Sequence, residues 1–359
     1  MTATRSDGPL PSWRARVTVA VAAALVLGAV AAGYTVVAAR RGPGAPVGPR
    51  AAGAAAAGAA APALSTGKLS LDGGGRLLFR STVAGTSYGA LATVPIADPA
   101  ATRTVGDARC ERVYAAAGTG LCLRVGTSAL ARYEAVVLDR DLREVRRIPV
   151  EGLPSRARIS ADGHVASWTV FVSGDSYASS TFSTRTSVLD LRSGKLLVKN
   201  MERFTIIKDG REYRAADVNV WGVTVAADDH RFYATVGTRG KTYLVEGDLA
   251  RRTVRTLREN VECPSLAPDG TRLVFKKRVL DDWRKPWRLF VLDLATMRET
   301  PLAEPSNVDD QAAWLDDHTI AYALQEPDRP NTNVWAVPAD GSGAPRLLVR
   351  DAFSPVPLP

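Results

Sequence analysis

The chain has 359 residues, 46% of them apolar, enough for one large or two medium domains. Its formal charge is +9, but residues 1–66 hold six arginines against one acid, Asp7, so +5 of that total is N-terminal. Elsewhere acids and bases are interspersed, with no Lys/Arg block among aromatics, which argues against a nucleic-acid binder; three cysteines without a CxxC pair argue against a zinc ribbon or thioredoxin-like centre.

Residues 1–16 are polar and carry Arg5, Arg14 and Arg16, as expected of a short cytoplasmic N-terminus. Residues 17–39, VTVAVAAALVLGAVAAGYTVVAA, contain no charge. As a helix rising about 1.5 Å per residue, they span a hydrocarbon core of about 30 Å. Cleaved signals have shorter apolar runs of about 7–15 residues, so this segment reads as a retained transmembrane signal anchor. Arginines flank it on both sides, and a short tail ahead of a large domain favours an N-terminus inside. The main domain is then expected at the cell membrane, outside the cytoplasm. Residues 40–64 are rich in Ala, Gly and Pro and read as a linker.

From residue 65 to 359 the chain repeats. A strand, a tight turn and a second strand recur as LSLDGGGRLLF from Leu69, VYAAAGTGLCL from Val113 and RISADGHVASW from Arg158. They return as TVAADDHRFYA from Thr224, SLAPDGTRLVF from Ser265 and the shorter AWLDDHTIAY from Ala313. Each copy is followed by a third strand, such as WRLFVLDL from Trp287, and a shorter fourth. The equivalent positions Leu69, Tyr114, Ile159, Val225, Leu266 and Trp314 are 45, 45, 66, 41 and 48 residues apart. A four-stranded unit of roughly 40–50 residues is a propeller blade, so the expected fold is all-β, a six-bladed β-propeller. The long interval holds an insertion in which Thr205–Arg214 reads as an extra hairpin turning at Asp209-Gly210. Ring closure stays open: Ser65–Leu69 can serve as blade 1's innermost strand, and Ala352–Pro355 resembles the end of such a strand.

A hairpin turning at Ala117-Gly118 sets Cys110 opposite about residue 125, roughly 10 Å along the ladder from Cys122. Both are therefore expected as free thiols, like Cys263. His164, His230 and His318 fall in or beside hairpin turns of different blades and are expected at separate places on a rim, as solvated residues rather than metal ligands. Gly85–Gly89 spells GTSYG, but it leads into a strand instead of the strand-to-helix elbow a nucleophilic serine needs. No phosphate-binding glycine motif and no HExxH occurs, so no catalytic residue, metal or cofactor is assigned. Asp316-Asp317 reads as turn chemistry, and Asp281-Asp282 as a rim loop.

The candidate binding residues stand where the innermost strands begin and converge on the mouth of the central channel. They are Asp309, Asp310 and Gln311 of blade 6, Glu262 of blade 5, and Asn219 and Trp221 of blade 4, with Glu111 and Arg156 in the same rank. The alternative is that these groups satisfy one another.

The SPDG-like hairpin followed by a WRLFVLDL-type strand resembles the repeat of the TolB family of propellers, over about residues 65–355 and most closely in Glu262–Leu294. NVWGVTVAADDHRFYAT from Asn219, VECPSLAPDGTRLVFKKR from Val261 and VDDQAAWLDD from Val308 are similar to membrane-anchored TolB-like proteins of actinobacteria. Rigid propeller blades present loops on one broad face, so the expected role is a non-catalytic protein-binding or scaffold module of the cell envelope, with an envelope protein as partner. Alternatives are a propeller hydrolase or lyase acting on cell-surface carbohydrate, or a small-ligand sensor. In TolB a small α/β domain precedes the propeller; here the apolar segment and linker stand in its place, so TolB's own partners do not carry over.

Overall fold

Consecutive apolar side chains such as Leu77-Leu78-Phe79 give a strand two faces to bury, and the architecture answers that need. The computed structural model describes residues 61–127, 132–172, 183–282, 284–327, 329 and 331–358. The expected membrane anchor at 17–39 lies outside them. Among the described residues no helix is long and apolar enough to cross a membrane.

Six sheets, each built on four antiparallel strands, form the six blades. From the inside out, blade 2 runs Arg112–Ala116, Thr119–Val125, Tyr133–Leu138 and Glu144–Val150. Blade 3 runs Leu153–Ile159, Val165–Val172, Ser183–Asp190 and Leu196–Val198. Blade 4 begins with Asn219–Val225, Arg231–Thr238, Lys241–Asp248 and Thr253–Glu259. The expected hairpin, Thr205–Lys208 and Arg211–Tyr213, widens this blade by pairing parallel to its outer strand. Its turn is at Asp209-Gly210, both with positive φ. Blade 5 holds Glu262–Leu266, Arg272–Arg278, Trp287–Asp293 and Glu299–Pro301. Blade 6 holds Ala313–Trp314, Thr319–Gln325, Thr332–Pro338 and Arg346–Val349.

Blade 1 closes the ring. Its innermost strand is the C-terminal Ala352–Leu358, antiparallel to Arg76–Ser81, which is followed outward by Ala90–Pro95 and Arg103–Arg109. The N-terminal Leu64–Thr66 pairs parallel at the outer edge, Leu64 opposite Arg103. The placement of Ser65–Leu69 as an innermost strand is therefore corrected. Leu69 and Leu71 instead pack between blades 1 and 2. Pro357, opposite Leu77, fills the place that Leu266, opposite Leu273, fills in blade 5.

The two faces of each strand serve two neighbours. Leu77 and Phe79 pack with Ala321 and Val334 of blade 6, whereas Leu78 between them packs with Val113 and Val136 of blade 2. Likewise Val274 joins Trp314 and Tyr322 of blade 6, while Leu273 and Phe275 join Tyr233 and Leu244 of blade 4. Every junction between blades is such a cluster, so no sheet could be removed without exposing its neighbours.

Cys110 and Cys122 form a disulfide, with Cα atoms 5.4 Å apart, which corrects the expectation of free thiols. The ladder argument fails because Cys110 is not on that ladder. Blade 2's pairing stops at Arg112 opposite Leu123, and Cys110 lies in the bend from blade 1, where its N–H donates to Gly89 O at 3.0 Å. The bend folds it back over Cys122. Cys263 is free and buried.

Candidate functional site

The six innermost strands touch one another in ring order, and those of blades 1, 3, 4 and 5 carry an irregularity near their starts. Pairing slips between Trp221 and Thr224 in blade 4 and between Glu262 and Ser265 in blade 5. Gly222, Cys263 and Ser354, equivalent in the repeat, have φ of 66°, 50° and 52°. Such bulges bend a strand and re-aim its side chains. Here the result is a set of polar groups meeting from several blades.

Blade 3 supplies two arginines on one face of its strand. Arg158 stacks 4.5 Å over Tyr114 and donates Nη2 to the carbonyls of Gln311 and Ala312 in blade 6, at 2.9 and 2.8 Å. Arg156 lies 3.7 Å from Asp309 of blade 6, and its Nε donates to Cys263 Sγ of blade 5 at 3.4 Å. From blade 2, Arg112 pairs with Asp310 at 3.3 Å and stacks 4.2 Å over Phe353. Asp310 also accepts from the Ala323 N–H at 3.2 Å. Blade 5's Lys276 pairs with Asp309, lies 3.8 Å from Glu262 and covers Trp287 at 4.0 Å. Glu262 accepts from Arg278 at 2.7 Å and from Trp287 Nε1 at 3.1 Å, while Gln311 Nε2 donates to Pro264 O at 2.9 Å.

Of the candidate residues, Glu262, Asp309, Asp310 and Gln311 lie in this network, along with Arg156. Asn219 is used elsewhere: its Oδ1 accepts from the Thr184 N–H of blade 3 at 2.7 Å. Trp221 lays its ring against Gly237 of the next strand, where an added Cβ would come within 2.6 Å of it. Glu111 sits on the blade 1 side, 3.3 Å from Arg80. Arg112, Arg158 and Lys276 were missed by sequence reasoning. The available signal was a charge alternating with small residues on a core strand, as in Arg156-Ala157-Arg158.

Burial works against charge throughout this cluster, and the partners decide the balance. Arg112 is pushed down to about 10, first by burial and then by Arg156, with Asp310 and Asp309 opposing. Arg156 is held above its ordinary value because Cys263, Asp309 and Asp310 outweigh its burial. Burial raises the Asp309 carboxyl, but Lys276, Arg156 and Arg112 overcome it and hold the group below the ordinary carboxylate range. Asp309 keeps a side chain 53% exposed, whereas Glu262, Asp310 and Gln311 are buried. Within this cluster two buried atoms have no hydrogen-bond partner among the described residues, Arg158 Nε and Gln311 Oε1.

The histidines do not all stand apart. His230 and His318 are exposed in turns, but His164 of blade 3 meets Asp229 of blade 4 at 3.0 Å. Turns of adjacent blades therefore touch, which corrects the expectation of separate places. Asp316 accepts from the His318 N–H at 2.8 Å, the turn role expected of it.

No protein-family model matches the chain, and no curated protein matches it. Solved structures do. TolB from Acinetobacter baumannii superposes with a TM-score of 0.54 at 14% identity, over 79% of this chain and 66% of that one, so the match leaves about a third of that protein uncovered. A chain of a Nidogen/Laminin complex gives a TM-score of 0.51 at 12% identity, over 78% and 97% of the two chains. TolB from Agrobacterium tumefaciens gives 0.48 at 11% identity, over 79% and 92%. At these identities the likeness concerns fold. In fold, the chain is a TolB-like six-bladed β-propeller.

Proposed function

We propose that this propeller is a non-catalytic protein-binding or scaffold module of a cell envelope, tethered to the membrane by residues 17–39 and lying outside the cytoplasm. The observation that carries the binding reading is the channel-mouth cluster. Asp309 is held below the ordinary carboxylate range by Lys276, Arg156 and Arg112, and Asp310 pairs with Arg112, which suits recognition by fixed charge. Asp309, the exposed member, is the group a partner would meet first. The Cys110–Cys122 disulfide supports an oxidising, extracytoplasmic setting. One propeller of similar fold is described as part of a protein complex, that of Nidogen and Laminin, which is consistent with such a role.

Cross-linking in intact cells, followed by identification of co-purifying proteins, tests the reading. A specific envelope protein is expected, recovered less with Asp309→Ala than with the natural chain. Recovery of no specific protein, or equal recovery with the variant, overturns the channel-mouth assignment. Surface protease added to intact cells should cut the propeller; full protection would reverse the orientation. The sensor reading is favoured by one observation, the partnerless Gln311 Oε1 and Arg158 Nε, which a small ligand with one donor and one acceptor would satisfy.

A further inference from the structure

At the junction of blades 3 and 4, two hairpin turns bring three ligand-type side chains to one point. Asp162 and His164 belong to the turn Ser160–Gly163 and its exit; Asp229 belongs to the turn Ala226–Asp229 of the next blade. His164 Nδ1 is 2.8 Å from Asp162 Oδ2 and 3.0 Å from Asp229 Oδ2. The three ligand atoms lie within 4.8 Å of one another.

One nitrogen carries at most one proton, so Nδ1 can serve one of these carboxylates and leaves the other facing a like charge. Arg192, 3.5 Å from Asp229 Oδ2, answers part of that charge from one side. Independently, Asp229 Oδ1 is buried with no hydrogen-bond partner, on a side chain only 11% exposed. An orphaned carboxylate oxygen beside converging lone pairs asks for a cation. The remaining atoms are already fixed: Asp162 Oδ1 accepts from the Ser160 hydroxyl at 2.6 Å and from the His164 N–H at 3.0 Å. These hold the first ligand in place before any ion arrives.

We propose that Asp162, His164 and Asp229 form a binding site for a first-row divalent cation that clips blade 3 to blade 4. Ligands at right angles around a metal about 2.1 Å away are about 3.0 Å apart, close to the spacing found here. One imidazole with two carboxylates suits Zn²⁺ and Mn²⁺ and disfavours the all-oxygen shells of Ca²⁺ and Mg²⁺. Water would complete the shell on the half-exposed His164 side. The role is structural, since the two turns come from sheets that share no backbone hydrogen bonds through these residues.

The test uses the full chain, stripped with EDTA and dialysed against Zn²⁺ or Mn²⁺. One equivalent of Zn²⁺ per chain is expected, with a rise in melting temperature of about 3 °C or more. His164→Asn and Asp229→Asn should each weaken binding by about tenfold or more, whereas His230→Asn should not. Should a variant fail to fold, Mn²⁺ broadening of histidine ring signals in the natural chain decides. Broadening confined to His164 supports the site. Metal content well below one equivalent, binding undiminished in folded variants, or broadening of His230 or His318 in place of His164 overturns it.

Discussion

The guanidinium of Arg158, carried by blade 3, donates to the main-chain oxygen of Gln311 in blade 6, at 2.9 Å, so one side chain ties together opposite sides of the ring. Its second acceptor, the Ala312 carbonyl, and its seat over Tyr114 leave it 8% exposed. Arg158→Met keeps the packing volume but strands two buried carbonyls. The expected loss is about 3 kcal/mol, read from the urea midpoint. Arg143→Met, which breaks an exposed pair with Asp141, should change stability by less than about 0.5 kcal/mol. Equal effects would mean that the contact across the ring does nothing special.

The cysteine pair is open to a simpler test. Thiol titration of the denatured, unreduced chain should find one thiol, Cys263. Finding three would remove the disulfide. Cys110→Ser combined with Cys122→Ser should cost about 3 kcal/mol through the short loop the bridge closes.

What could be read from the sequence was whatever repeats locally. Tight turns, Asp-Gly in three of the copies, and period-2 apolar residues are written into the repeat, so Leu273, Phe275 and the extra hairpin at Asp209-Gly210 are legible without coordinates. What depends on distant partners was not. The inner strand of blade 1 is contributed by residues nearly three hundred positions from Leu77, and no local pattern near Leu69 could rule out that strand. Cys110 was misplaced because a ladder was extended into a bend. Asn219 shares the channel rank in sequence, yet Thr184 captures its side chain from the neighbouring blade. The site was legible as a rank of strand starts, while the arginines that answer its carboxylates looked like ordinary strand charges.

Gly222 separates steric from conformational cost. Its φ is +66°, and an added Cβ would lie 2.7 Å from the Cα of Cys263, backbone that cannot swing aside. Gly210 has a similar φ of +75° and nothing within 4 Å. Gly210→Ala should therefore cost about 1 kcal/mol, from the left-handed conformation alone. Gly222→Ala adds a clash between blades 4 and 5 and should cost at least about 2 kcal/mol more. If the two variants unfold at the same denaturant concentration, the close approach at Cys263 is wrong.

Glu202 should set the pH dependence of stability near neutrality. Burial pushes its carboxyl up to about 7, against the opposing pull of hydrogen bonds from its own N–H, Thr184 and Val220. Its Oε2 is buried without a partner. Because the folded chain holds this proton more tightly than the unfolded one, stability is not diminished below an unfolded value of about 4.3 and falls as pH rises toward 7. Asp309 acts in the opposite sense and in another window. Its depressed carboxyl contributes above an unfolded value of about 3.9, and that contribution is lost as pH falls through its lower folded value. Glu202→Gln imitates the protonated side chain and removes the first effect only. At pH 8 the variant should be more stable than the natural chain by up to about 3 kcal/mol, and at pH 4 nearly equal to it. Urea midpoints at the two pH values check this, and a variant that is less stable at pH 8 would show that Glu202 works there as a bound anion.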